Sequence, residues 1–226
     1  SLDLPTQDYA QATVAAQVAK LKNNNVGNAG ALITKPGTGE ILAMIGSTDY
    51  FDEKHGNVNI TLANRQPGSS IKPINYAVGL INGYSAATPF IDQPVCYPQS
   101  GDKPFCPRNY DGAFHGVVQM RESLGNSLNI PAVQMLKLNG IDSMIATASA
   151  MGLKTLNDPS RYGLSLTLGG GEVTMVDMAT AFGVFANQGY RVDLHPILKV
   201  TDAEGKVLEE YKSPKSPIFG KKVIPS

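Results

Sequence analysis

Arg65-Gln66-Pro67-Gly68-Ser69-Ser70-Ile71-Lys72-Pro73 sets a serine three residues ahead of a lysine, just before an apolar helical pattern. Residues three apart on a helix share a face, one turn removed. A hydroxyl and an amine so placed can meet, and a neutral amine can take the proton that makes the hydroxyl a nucleophile. The same spacing also describes a helix cap followed by a solvated lysine, and alone it does not choose between the two. Downstream, Ile74, Ala77, Val78 and Ile81 fit one buried stripe, which predicts a helix over about 70–81 closed by Asn82-Gly83. Pro73 loses little there by lacking an N–H, although it biases Lys72 away from helical angles.

Upstream, residues from Pro5 to about Leu21 favour a helix, with Val14, Val18 and Leu21 on one stripe and Asn23-Asn24-Asn25 and Gly27 ending it. Ala31–Thr34 and Ile41–Ile45 flank Pro36-Gly37-Thr38-Gly39 and read as a β-hairpin. Its nearly continuous apolarity predicts strands covered on both faces. Between Thr88 and Gly116 the chain is rich in Pro, Gly, Asp and Tyr, and reads as a long structured loop of the kind that is functional or stapled. Helical patterns return over Gln119–Gly125, Ile130–Leu138 and Ile141–Met151. A further one begins after Glu172 and runs through Met178, Phe182 and Phe185 to Asn187-Gln188-Gly189. Ile197–Thr201 and Lys206–Tyr211 flank Asp202-Ala203-Glu204-Gly205 as a second hairpin, and the tail from Ser213, with three prolines, reads as irregular.

The 226 residues are 42% hydrophobic, enough for an ordinary core. Lys+Arg and Asp+Glu are equal at 19 each, so no net field draws in nucleic acid or an anionic membrane. No stretch reaches the roughly 20 apolar residues of a membrane span, and no signal-peptide pattern opens the chain. Any anchor is expected outside these residues. His55, His115 and His195 are scattered without a zinc spacing, so no metal is expected. Gly169-Gly170-Gly171 has no Lys-Ser/Thr at P-loop spacing and reads as room for tight backbone packing beneath the following helix. Cys96 and Cys106 bracket a Pro/Gly/Ser/Asp stretch, which admits either a local disulfide in an oxidising compartment or two separate thiols.

A second polar constellation is Ser127-Leu128-Asn129, followed by Ile130-Pro131. A hydroxyl and an amide two residues apart in an extended segment point the same way. They can face a substrate together, or they can simply form an Asn/Pro turn before the next helix.

Taken together these segments resemble the penicillin-binding transpeptidases, specifically the acyl-transfer domain of the bifunctional class A peptidoglycan synthases. Thr38-Gly39-Glu40-Ile41-Leu42-Ala43-Met44 is similar to the family's first hairpin, Arg65–Pro73 to its nucleophile segment, and Asn109-Tyr110-Asp111-Gly112 to its loop before the second motif. Asn126–Val133 resembles its S-x-N segment, and Leu168–Thr174 and Phe185–Gly189 its later landmarks, in the family's order. The resemblance implies an α+β fold of the serine β-lactamase/DD-transpeptidase type, an antiparallel sheet flanked by helices plus an all-helical part. On that reading residues 1–226 are one incomplete domain: helix and hairpin over 5–46, a helical part with the motifs over about 69–190, the hairpin at 197–211, and the tail at 213–226.

The resemblance further implies that Ser69 is the acylated nucleophile, Lys72 its base, Ser127 the proton shuttle to the leaving amine, and Asn129 a contact for the substrate amide. Substrates would be D-Ala-D-Ala stem peptides of peptidoglycan, β-lactams would acylate the same serine, and no cofactor is implied. It also favours a Cys96–Cys106 bridge and an extracytoplasmic location at the bacterial membrane, with other cell-wall synthesis proteins as partners. An unperturbed lysine, with a pKa near 10.4, cannot accept a proton at neutral pH, so Lys72 is expected to point into a cleft where burial disfavours its charge.

The family's third motif, K-[ST]-G, has no counterpart here: Lys154-Thr155-Leu156 lacks the glycine and Lys35-Pro36-Gly37 precedes the nucleophile. The strand carrying it would supply one of two oxyanion-hole donors, whose loss typically costs about 10²–10³ in rate. The chain is therefore expected to be a fragment, or one piece of a cleaved chain, with the C-terminal sheet strands and the glycosyltransferase half elsewhere. Two other readings share the motifs. A serine β-lactamase needs a base for deacylating water, and Glu122 is the acidic residue nearest to Ser127-Leu128-Asn129. A non-catalytic β-lactam sensor or scaffold needs no intact serine–lysine pair.

Overall fold

The computed structural model describes residues 1–99, 103–212 and 216–219. In chain order its elements are α1 (Leu4–Lys20), β1 (Ala31–Lys35), β2 (Glu40–Ile45), α2 (Lys72–Ile81), β3 (Pro89–Asp92), β4 (Gly116–Gln119) and α3 (Met120–Gly125). There follow α4 (Asn129–Asn139), α5 (Ile141–Met151), α6 (Met175–Ala186), β5 (Tyr190–Arg191), β6 (Lys199–Thr201), β7 (Val207–Glu210) and β8 (Ser216–Pro217). The class is α+β, and the described strands form four antiparallel pairs, β1-β2, β3-β4, β5-β8 and β6-β7. The chain divides into two compact units. One holds Ser1–Arg65, Ala150–Lys154 and the residues from Val173 on; the other holds Gln66–Ser149 and Thr155–Glu172.

In the first unit, the Asp3 side chain accepts the Thr6 N–H and a proline occupies the first turn, which together start α1. α1 lies along β2. Asp3 N–H donates to Leu42 O, and Gln7 accepts from Met44 N–H at 2.8 Å while its amide donates to Met44 O at 3.3 Å. These bonds satisfy backbone groups that a strand edge would otherwise leave unpaired. Ala10 of α1 packs on Ala43 and Ile45. The hairpin departs from the expectation of cover on both faces. Ile41, Ala43 and Ile45 are buried while Leu42 and Met44 between them are only partly so, and Ile33 is exposed. An apolar run therefore overstated the burial, because apolar residues also occupy part-open faces.

In the second unit, α2 and α4 pack on each other around Tyr76, Phe90, Met120, Ala132 and Met135. Three sequence expectations need correction here. Lys72 adopts helical angles (φ −55°, ψ −39°) in spite of Pro73, because a 3₁₀ turn over Gly68–Ile71 already delivers the chain in that direction. Ile81 is exposed rather than part of the buried stripe of Ile74, Ala77 and Val78. The stretch from Thr88 to Gly116 is not loop throughout, since Pro89–Asp92 pairs in register with Gly116–Gln119. Its leading proline hid β3 from a pattern reading. Within it Tyr97 and Phe105 exchange two backbone hydrogen bonds of 2.8 Å, and Cys96 and Cys106 are joined by a disulfide. The tail from Ser213 lies largely outside the described residues, but Ser216–Pro217 pairs with Tyr190–Arg191 and is strand, not irregular chain.

Candidate active site

The 3₁₀ turn at Gly68–Ile71 runs directly into α2, and the Lys72 N–H donates to Ser69 O. In 3₁₀ geometry residues three apart eclipse one another, so Ser69 and Lys72 stack more directly than in an α-helix. Ser70 is removed from contention because its hydroxyl donates to Pro67 O at 2.7 Å. Ser69 is exposed and lines a cavity of about 370 Å³ with Asn109, Tyr110, Asp111, Ser127 and Asn129.

Lys72 is 1% exposed. Its Nζ donates to Ser127 O at 2.5 Å, to Asn129 Oδ1 at 2.6 Å and to Ser127 Oγ at 3.1 Å. Three donors thus meet three acceptors, all from the turn that opens α4. Ser127 takes a left-handed conformation at φ 54°, which carries its carbonyl and hydroxyl toward the amine. Burial lowers the Lys72 pKa to about 8, because an ammonium withdrawn from water is disfavoured. Ser69, Ser127 and Asn129 thus line one concavity, and the Lys72 amine is buried against the last two. The Ser69 hydroxyl itself makes no hydrogen bond to the amine, which faces Ser127 and Asn129.

Asn129 is more engaged than its sequence context suggested. Besides accepting from Lys72, it donates Nδ2 to Arg108 O at 2.7 Å and its N–H to Asn109 Oδ1 at 2.8 Å. One Nδ2 hydrogen remains for a ligand. Glu122 does not face the cavity: it closes a capping box on α3, accepting the Gln119 N–H at 2.7 Å. Cys96 and Cys106 do not line the cavity, but their bridge lies just before Arg108 and Asn109.

The glycine run acts elsewhere than expected. A Cβ on Gly169, which has φ +91°, would fall 2.3 Å from Gly68 N, so this glycine lets the chain close on the nucleophile turn. Sequence reading also missed a buried network behind the site. Asn75 Nδ2 donates to Ala132 O and to Thr167 Oγ1, each at 2.9 Å, while Asn139 Nδ2 donates to Asn75 O and Oδ1. Its signal was Asn75, a polar residue within an apolar helical stripe.

The family model described as the penicillin binding protein transpeptidase domain matches residues 29–224. The chain belongs to that family. Among relatives, penicillin-binding protein 1A of Neisseria flavescens is 35% identical over 181 residues, covering 79% of this chain and 22% of that protein. Penicillin-binding protein 1A of Pseudomonas aeruginosa is 34% identical over 185 residues, with 81% and 22% covered. A crystal structure of penicillin-binding protein 1A from Haemophilus influenzae matches this penicillin-binding transpeptidase domain with a TM-score of 0.74 at 28% identity, over 84% of this chain and 28% of that one. The chain thus spans about a fifth of the length of these relatives. Among the described residues no helix is long and apolar enough to cross a membrane.

Proposed function

We propose that this domain is an acyltransferase of peptidoglycan, a serine DD-transpeptidase acylated at Ser69 by D-Ala-D-Ala stem peptides and by β-lactams. The observation that carries the reading is the buried Lys72 amine, shifted to about 8 and held by Ser127 and Asn129 beside an exposed Ser69. The ammonium bonded to three acceptors is the resting form. Loss of its proton leaves a lone pair, and turning that lone pair toward Ser69 Oγ makes the amine a general base. Ser69 Oγ then attacks the penultimate D-Ala carbonyl. Ser127 Oγ, bonded to the same amine, returns the proton to the departing D-alanine, and Asn129 offers its remaining Nδ2 hydrogen to the substrate amide. An amine of a neighbouring stem peptide takes the acyl group. The Cys96–Cys106 bridge supports an extracytoplasmic site for this chemistry.

A hydrolytic β-lactamase reading is less favoured, since Glu122 is occupied as a helix cap and Asp111 is the sole carboxylate among the described residues that line the cavity. Covalent labelling with a fluorescent penicillin tests the assignment. Native chain is expected to take one label and keep it through hours of chase; Ser69→Ala is expected to take none. Lys72→Ala is expected to slow labelling by about 10²–10⁴, the range for losing a general base. Label on Ser69→Ala would remove Ser69 from its role, and rapid release of hydrolysed penicillin would favour the lactamase.

A further inference from the structure

The polar contacts around Asn129 continue well beyond the cavity. Leu128, at the N-cap of α4, has no side chain that can cap the helix, and Asn109 does so from a remote turn by accepting the Asn129 N–H at 2.8 Å. The sense of the Asn109 amide is fixed from behind. Its Nδ2 donates to Asp92 Oδ2 at 2.8 Å and to Ala113 O at 2.9 Å, and a flipped amide would turn its oxygen toward both acceptors. Asp92, on β3, is 0% exposed, and its Oδ1 has no hydrogen-bond partner among the described residues. The other oxygen is met by His115 as well, through N–H at 3.0 Å and Nδ1 at 2.7 Å. Across the ring, His115 Nε2 lies 3.2 Å from Asp111 Oδ2. An unbroken run of hydrogen bonds leads from His115 through Asp92, Asn109 and Asn129 to the Lys72 amine.

We infer that Asp92 and Asn109 are positioning residues for Lys72, and that His115, bridging two carboxylates as a cation, holds them in register. A neutral imidazole has one N–H, so on losing its proton the ring must leave Asp92 or Asp111 facing a lone pair. Asp92 from β3 and Asp111 from the 109–112 turn are the charged groups acting on it, and the hydrogen bond to Asp92 raises its pKa above the ordinary histidine value. The inference rests on the proposed acyl transfer for its kinetic consequences only; the hydrogen-bonded run stands without it.

The full chain tests it in two ways. The first is the rate of acylation by a fluorescent penicillin against pH, for native chain, His115→Asn and Asp92→Asn. Asparagine at 115 keeps a donor near the position of Nδ1 but does not titrate. The ratio of His115→Asn to native rate is expected below 1 at low pH, where the native ring bridges both carboxylates and asparagine reaches only Asp92, and to climb toward 1 as the native imidazole deprotonates. Asp92→Asn is expected to lose about tenfold or more in the acylation step with little change in penicillin binding, as misplacement of a catalytic group does. The second is the ¹⁵N shift of the Asn129 amide, which is expected to inflect with the His115 titration in native chain and to lose that inflection in His115→Asn. A rate ratio that stays flat with pH, or an Asn129 amide blind to His115, overturns the inference. If Asp92→Asn does not fold, His115→Asn decides alone. A native chain that fails to label at Ser69 refutes the acyltransferase reading, while the amide titration still decides this one.

Discussion

At the scale of single residues, the site depends on what is missing as much as on what is present. Gly169 has no side chain, and the backbone of Gly68 occupies the space where its Cβ would be. Gly169→Ala introduces both a clash with that turn and a backbone angle of φ +91° that L side chains rarely adopt. The strain is expected to cost about 1–3 kcal/mol. Because the clash falls on the residue before Ser69, acylation by penicillin is expected to fall about tenfold or more, beyond what the loss of folded protein explains. Stopped-flow labelling alongside thermal melting separates the two effects; an unchanged labelling rate would show that the turn can shift freely. The serine–lysine and serine–asparagine spacings were visible in the sequence, but each alone fitted a helix cap or a turn equally well, and only the resemblance to a known family singled them out as catalytic candidates. Gly169's partner was not, since nothing in a glycine run says which distant backbone will fill the space.

Among elements, α2 and α4 are joined by more than apolar contact. Asn75 on α2 holds Ala132 O of α4, Thr167 Oγ1 and, through two bonds, Asn139. Replacing it with alanine leaves buried donors and acceptors unpaired, at about 1–3 kcal/mol for each group so orphaned. Asn75→Ala is therefore expected to shift the urea midpoint strongly downward, and a loss well under 1 kcal/mol would mean that the network is already solvated. All six α-helices among the described residues and two hairpins were readable from apolar period and turn residues, because burial of one face imposes that period. The pair β3-β4 was not. Four residues led by proline carry too little alternation to stand out, and their pairing partner lies beyond a disulfide-bridged excursion. The network escaped for a related reason: periodicity reports which face is buried, not which polar group on that face finds a partner.

For the molecule as a whole, Lys72 links the candidate chemistry to global stability. Its amine titrates at about 8 when folded, against about 10.4 in an unfolded chain. Between those values the unfolded chain holds a proton that the folded one has released, so stability rises with pH through that window. Below about 8 both forms are protonated and the penalty of the buried cation is felt in full. The melting temperature of native chain relative to Lys72→Met is thus expected to climb from pH about 8 to about 10 and to be level below. A gap that does not vary with pH would mean that the folded amine titrates as in water.

The covalent link between residues 96 and 106 ends two positions before Arg108, whose carbonyl fixes the Asn129 amide. Recombinant chain made in the reducing cytoplasm of an expression host would carry free thiols there, and this anchor would be slackened. On the proposed acyl transfer, the share of such a preparation that takes a penicillin label is expected to rise on air-oxidation.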